Sequence, residues 1–210
     1  MKKIILLFLA LVLPLFTDSY RVQVENKKAT FELGCKKDKP EACTSLGRLY
    51  DTRYTYATSI LKKDMNKAKE LYIKSCNMDE GMACYYLATM YDFSEGVQEN
   101  KSKALKYYKK GCKLNENDSC LRLGKKYHSG EGVKLNFKNA AHYYGEACNR
   151  KKPIACYYLG LMYINGRGVK KDKARGEKIL CIACSKGILS ACSDLGIGGF
   201  MPNVSMSECK

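Results

Sequence analysis

Ten of the chain's twelve cysteines form five pairs with the same offset of eight residues: Cys35 with Cys43, Cys76 with Cys84, Cys112 with Cys120, Cys148 with Cys156, and Cys184 with Cys192. From the second pair onward the pairs recur every 36 residues, and the first step is 41. A fixed period near this length is the signature of a stacked repeat rather than of one closed domain. A cysteine pair held at one offset inside every period points to one disulfide per repeat.

Alignment on the second cysteine of each pair gives each position a task. Leu follows three residues later in every copy (Leu46, Leu87, Leu123, Leu159, Leu195). A small residue comes next (Gly47, Ala88, Gly124, Gly160, Gly196), and a Tyr three further on (Tyr50, Tyr91, Tyr127, Tyr163). Offsets of 0, 3, 4 and 7 trace one face of a helix. A second helix supplies its own small residue (Ala68, Ala104, Ala140, Gly176), so that the two helices of a hairpin approach closely. Between them Gly96-Val97, Gly132-Val133 and Gly168-Val169 mark a turn whose glycine is expected at positive φ. A helix hairpin cannot bury its apolar face alone and must stack on its neighbours. The expected fold is therefore all-α: a right-handed α/α solenoid in which each bridge joins the second helix of one repeat to the first helix of the next. A lone second-type helix is expected over about 25–35, four hairpins over about 40–185, and a last first-type helix and tail over about 188–210.

The N-terminus has the form of an export signal. Lys2 and Lys3 precede an apolar run from Ile4 to Phe16, and Thr17-Asp18-Ser19 offers small residues for cleavage after Ser19. The run is shorter than the ~20 residues of a spanning helix, so no transmembrane span is expected in the mature chain, residues 20–210. Export and cysteine usage agree, because disulfides persist in the periplasm and outside cells. Zinc fits poorly, since Cys-x7-Cys is not a ligand spacing and only His128 and His142 are available to assist. The formal charge of +16 falls to +15 once Lys2, Lys3 and Asp18 are removed. Such a surplus favours acidic partners, cell-wall components among them, and export argues against nucleic acid. The plainer alternative is a lysine-rich solvated face.

The combination of LG-x-x-Y, G-x-G-V, an Ala on the second helix and a period of about 36 residues resembles the Sel1-like repeat, a relative of the TPR hairpin. With a Cys-x7-Cys staple in every copy and an export signal, the chain resembles the Helicobacter cysteine-rich protein family. The first repeat departs from the pattern, because a five-residue insert replaces its Gly-Val turn, and Cys181 and Cys209 are additional. The resemblance implies an exported protein facing a host. It also implies the label of that family, penicillin-binding protein or weak β-lactamase. Sel1-like and related helix repeats bind peptides and proteins.

Candidate chemistry is sparse. Ser59-Ile60-Leu61-Lys62 is a formal S-x-x-K in the insert, which makes Ser59 and Lys62 the weak catalytic candidates. No S-D-N or K-T-G completes the set, and an exposed helix start is the preferred reading of the match. Cys181-Ile182-Ala183-Cys184 has the redox C-x-x-C format. Cys184 is already claimed by Cys192, so the simpler pairing is Cys181 with Cys209, with free thiols or a redox role as the alternatives. Asn117-Asp118-Ser119 matches a glycosylation sequon, and helix capping accounts for it. His128 and His142 are expected as surface or packing residues. No cofactor and no metal is called for.

Binding has better candidates. Offsets 2, 5 and 9 on the first-type helices face away from the core stripe, on what is expected to be a concave surface. They place Arg48 on the first repeat, Tyr86, Thr89 and Phe93 on the second, Arg122 and Lys125 on the third, and Tyr158 and Asn165 on the fourth. Aromatic, basic and small polar side chains in one row suit a peptide or protein partner, and a monomer is expected. N-terminal sequencing of exported protein should begin at Tyr20; an intact Met1 would remove the signal-peptide reading.

Overall fold

The computed structural model describes residues 2–54 and 62–197, with side chains from residue 19 onward. Among the described residues all regular structure is helical: α1 (Lys2–Lys36), α2 (Pro40–Tyr50), α3 (Met65–Asn77), α4 (Gly81–Phe93), α5 (Lys101–Lys113), α6 (Asn117–Ser129), α7 (Phe137–Asn149), α8 (Pro153–Asn165), α9 (Lys173–Ser185) and α10 (Leu189–Asp194). The chain divides into two compact units, Met1–Gln98 with α1–α4 and Glu99–Lys210 with α5–α10. Within each unit, helices pack on their neighbours in sequence. The even-numbered helices are here the A helices of the hairpins, and the odd-numbered ones the B helices.

A second set of repeating positions fixes the helix ends. Asp64, Asn100, Asn136 and Asp172 are the N-caps of α3, α5, α7 and α9, each accepting a hydrogen bond from the backbone N–H three residues on, at 2.8–3.0 Å. An Asp or Asn there satisfies a donor that the helix itself cannot pair. Three of these caps also close their hairpins. The N–H groups of Asp64, Asn136 and Asp172 donate to the carbonyls of Tyr50, Tyr127 and Tyr163, each at 2.9 Å. The first repeat therefore closes as the third and fourth do, despite its insert. The A helices start differently, with Pro at N1 in α2 and α8 and a Glu cap in α4 and α6. It is Glu116, not Asn117, that caps α6, because its carboxylate reaches the N–H of Asp118.

The staples are geometrically alike, and each pairs the cysteines that the spacing paired. Cys35 is bonded to Cys43, Cys76 to Cys84, Cys112 to Cys120, Cys148 to Cys156 and Cys184 to Cys192, with Cα–Cα separations of 4.6–4.9 Å. In every pair the first cysteine lies on a B helix or the end of α1, and the second (Cys43, Cys84, Cys120, Cys156 or Cys192) lies in the first turns of the next A helix. Three residues after each first cysteine the chain turns through a positive φ, at Asp38, Asp79, Asn115, Lys151 and Gly187. That single left-handed residue reverses the path and returns the next helix over the end of the last. Closing so short a loop stabilises by about 2–3 kcal/mol on the chain-entropy account. Cys181 is buried and also disulfide-bonded, while its expected partner Cys209 lies outside the described residues. The turn glycines behave as anticipated, with φ of 70°, 68° and 72° at Gly96, Gly132 and Gly168.

Packing inside a hairpin is more specific than small-against-small. The leucine stripe is buried at Leu46, Leu87, Leu123 and Leu159, and Ala68, Ala104 and Ala140 are fully enclosed. However, the notch left by an A-helix glycine is filled by a large B-helix side chain. A Cβ built on Gly47 would lie 2.7 Å from the Tyr72 ring, and one on Gly124 would lie 2.5 Å from the Tyr144 ring. In the fourth repeat a Cβ on Gly160 would lie 2.8 Å from Leu180, and one on Gly176 would lie 2.7 Å from the Gly160 carbonyl. In that hairpin two glycines bring the backbones themselves together, as the alignment anticipated.

The ends differ from the sequence reading in extent. The helix expected over about 25–35 is the last part of α1, which spans Lys2–Lys36 and includes Pro14. The final A helix is only the six residues Leu189–Asp194. Gly96 in the second repeat and Gly132 in the third end their turns against side chains, but Gly145 of α7 faces open space. Two alanine substitutions should therefore diverge. Gly124→Ala forces the Tyr144 ring aside and should cost about 1–3 kcal/mol in urea unfolding. Gly145→Ala should be neutral or stabilise by up to about 1 kcal/mol through helix propensity.

Candidate functional site

In the first unit, the end of α2 is built around a buried carboxylate. Asp51 is fully enclosed and is gripped by Arg53, whose Nε and NH2 groups donate to both carboxylate oxygens at 2.6–3.1 Å. The other arm of Arg53 donates to Thr89 Oγ1 and Glu95 Oε2, each at 2.6 Å. Tyr72 completes the group by donating its hydroxyl to Asp51 Oδ2 at 3.0 Å. Lys63, on the far side of the insert, donates to the carbonyls of Leu49, Asp51 and Tyr54. Burial alone would lower the pKa of Arg53, but the hydrogen bond and charge of Asp51 outweigh it and hold the guanidinium protonated. For Lys63 burial prevails, and its pKa is lowered. The network pins both ends of the insert onto α2 and α4.

Above this network the side chains form a cation–aromatic cluster. The Tyr54 ring meets Tyr86 edge-on at 5.4 Å, and the Arg48 guanidinium lies 5.1 Å from one ring and 5.8 Å from the other. Tyr86 also packs on Tyr72 at 5.2 Å. This corrects the sequence reading of two residues. Tyr86 and Thr89 are buried, at 7% and 6% exposure, rather than displayed on an open face. Offset 2 of an A helix points at the B-helix tyrosine of the preceding repeat. Thr89 is covered by the Arg53 guanidinium that the insert brings in. Arg48 and Phe93 are exposed as expected. Ser59 lies outside the described residues; Lys62 is exposed.

In the second unit the same geometry leaves a cavity. Tyr158 of α8 stacks on Tyr144 of α7 at 5.1 Å, as Tyr86 packs on Tyr72. Beside the pair lies a cavity of about 160 Å³ lined by His128, Tyr144, Tyr157, Tyr158, Leu161, Met162, Asn165 and Arg167. His128 occupies the position that Asp51 holds in the first repeat, eight residues after the second cysteine. It meets Tyr144 edge-on at 6.3 Å and Phe137 at 5.5 Å. Two cations frame the aromatic surface. Lys125 Nζ is 5.5 Å from the Tyr158 ring centre, and the Arg167 guanidinium is 5.9 Å from that of Phe137. Of the expected binding residues here, Lys125 and Asn165 are exposed, and Arg122 and Tyr158 are half-buried. His142 is exposed beside Tyr143.

His128, Phe137, Tyr144 and Arg167 were not picked out as binding residues from the sequence. The signal was present in the columns: Asp51, Asp92, His128 and Ile164 share one offset, and Tyr72, Tyr108, Tyr144 and Leu180 share another. These two columns meet, as Asp51 with Tyr72 and His128 with Tyr144 show. A polar or aromatic residue in the first column therefore sets the character of the groove above the second.

Burial raises the pKa of Tyr54, Tyr72 and Tyr144, reinforced by Tyr86, Asp51 and Tyr158 respectively. A raised phenol contributes stability that is complete below the unfolded tyrosine pKa of about 10 and is lost as pH climbs above it. Thermal midpoints of the oxidised protein should hold to about pH 9 and fall steeply above about pH 10. Tyr144→Phe should flatten that fall.

The sequence model of the Sel1 repeat matches four consecutive stretches, residues 40–80, 81–116, 117–151 and 153–188. No curated protein sequence matches the chain. Among solved structures, a Sel1 repeat protein from Oxalobacter formigenes superposes with a TM-score of 0.70 at 24% identity, covering 85% of this chain and 73% of its own. The protective antigen c5321 of uropathogenic Escherichia coli superposes at 0.69 with 21% identity, over 84% of this chain and 38% of its own. Both share the fold. Helicobacter pylori cysteine rich protein B is 34% identical with a TM-score of 0.51, over 63% of this chain and 96% of its own. With the staples in register and the repeat matched four times over, the chain belongs to the Sel1 repeat family, in the cysteine-rich group to which the Helicobacter pylori protein belongs.

Proposed function

We propose that this chain is an exported binding scaffold that holds a peptide or protein partner on the face of its A helices, the expected concave surface. The carrying observation is the aromatic surface of the second unit, where Tyr158, Asn165 and Arg167 help to line an open cavity and Lys125 lies 5.5 Å from the Tyr158 ring centre. A cavity walled by aromatic rings with a cation in its lining suits the recognition of a side chain. Sel1 repeats generally mediate protein interactions, which supports the reading. Five disulfides support an oxidising compartment, periplasmic or extracellular, as does the apolar N-terminal run read as a signal over residues 1–19. Among the described residues no helix is long and apolar enough to cross a membrane.

A scaffold and a hydrolase respond oppositely to the same two measurements. Purified oxidised protein should neither turn over a chromogenic cephalosporin nor gain the mass of a covalent adduct. Arg122→Ala and Lys125→Ala should weaken capture of immobilised peptides, while Ser59→Ala leaves it unchanged. Saturable turnover that disappears in Ser59→Ala would instead make the protein a β-lactam hydrolase with its nucleophile in the insert. Tyr86→Ala is unsuitable as a binding probe, because a buried ring reports on stability.

A further inference from the structure

The positive charge is unevenly placed along the chain. Met1–Gln98 carries 15 Lys and Arg against 12 Asp and Glu, a net +3, whereas Glu99–Lys210 carries 22 against 9, a net +13, which together make the +16 of the whole. Even with the N-terminal lysines included, the first unit is nearly balanced. A surface potential that strong attracts and orients anionic partners. The cavity described above in the second unit lies within this field.

Its size and lining restrict what it can take. A volume of about 160 Å³ is below the ~300–1,000 Å³ of sites that enclose a whole small-molecule ligand, so it suits one side chain. The walls are three tyrosine rings, His128, Leu161 and Met162, with Asn165 and Arg167 at the edge. An aromatic guest meets ring faces and edges there, a geometry that adds to simple burial. Arg167 lines the cavity and lies 5.9 Å from the Phe137 ring centre, and Lys125 lies 5.5 Å from the ring centre of Tyr158, itself a wall of the cavity, so one cation stands at the site and another one ring away. A hollow in the first unit, lined by Glu32, Lys36, Lys67 and Lys74 among others, offers less. There Lys74 is engaged by Asp38 at 2.8 Å and by the Cys35 carbonyl, and Lys67 lies over the Tyr50 ring.

We propose that the α6–α8 cavity anchors an acidic peptide segment, with one aromatic side chain inserted among Tyr144, Tyr157 and Tyr158 and flanking carboxylates paired with Lys125 and Arg167. The proposal rests on the scaffold reading above and names the chemistry of its partner. The aromatic anchor supplies specificity by shape. The carboxylates supply encounter rate and salt sensitivity. The two contributions separate experimentally.

The probe is a fluorescein-labelled peptide with one phenylalanine between two runs of three glutamates, titrated by anisotropy against the oxidised full chain at low salt. Companion peptides replace the phenylalanine by glycine, or the glutamates by lysines or by serines. The expected result is saturable binding of the acidic phenylalanine peptide. The glycine peptide and the double variant Lys125→Glu with Arg167→Glu should each weaken it at least about tenfold, a loss of about 1.4 kcal/mol. Tyr158→Ala, with helicity checked by circular dichroism, should do the same. Equal binding of the glycine peptide, or indifference to the charge variant, would overturn the proposal by reducing it to diffuse attraction. Preference for the lysine or serine peptide would overturn it while leaving the scaffold reading in place. Failure of all four peptides to bind would count against both.

Discussion

A large B-helix side chain seated in the space of a missing Cβ is the contact on which the first, third and fourth hairpins depend. Tyr72 fills the notch at Gly47, Tyr144 that at Gly124, and Leu180 that at Gly160. A glycine inside a helix costs up to about 1 kcal/mol in propensity. Each notch recovers more than that by burying a whole ring or leucine, since such side chains contribute about 1.5–3 kcal/mol on full burial. The same rings then form the floor for the next repeat, as Tyr86 packs on Tyr72 and Tyr158 on Tyr144. One side chain thus fixes the distance between the helices of its own hairpin and the placement of the helix that follows.

The columns make clear which parts of this were legible in advance. Five cysteine pairs at one offset, the leucine stripe and the Gly-Val turns all recur, and each maps onto a single physical requirement. Helices, staples and positive-φ turns could therefore be placed from them. The exposure of offset 2 could not. On an isolated helix, Tyr86 and Tyr158 face away from the leucine stripe; the previous repeat buries Tyr86 and half-buries Tyr158. Thr89 is a harder case, because it is covered by Arg53 of another repeat, positioned by an insert that occurs once. Recurrence reveals what every repeat shares and is silent on what one repeat does alone.

The first repeat shows how such a departure is accommodated. Where α6 and α8 end on glycines in the left-handed region, α2 ends on Asp51 in an extended conformation. The polar groups that this leaves are satisfied by an ion pair instead of by a tight turn. Arg53 neutralises the buried carboxylate, and Lys63 takes up three carbonyls. Breaking such a buried pair by removing one partner is costly because the remaining charge stays enclosed. In the third repeat the corresponding position is His128 and in the fourth Ile164, so the hairpin interior grades from ionic through aromatic to apolar along the sequence.

The eight-residue span of every staple also bears on how the chain acquires its structure. Each bridge joins cysteines that are near neighbours in sequence, and within each unit helices pack on the helices next to them in the chain. Such local contacts favour rapid folding, because little loop entropy is lost before a contact forms. On the export proposed above, the chain would thread out of a membrane pore amino-terminus first and oxidise one repeat at a time, each pair closing before the next arrives. With at most two unpaired cysteines outside the pore at any moment through the first four pairs, correct pairing needs little reshuffling. Cys181 breaks that order: it emerges just ahead of Cys184 while its expected partner Cys209 is 28 residues away, so the last repeat is where an isomerase would find work.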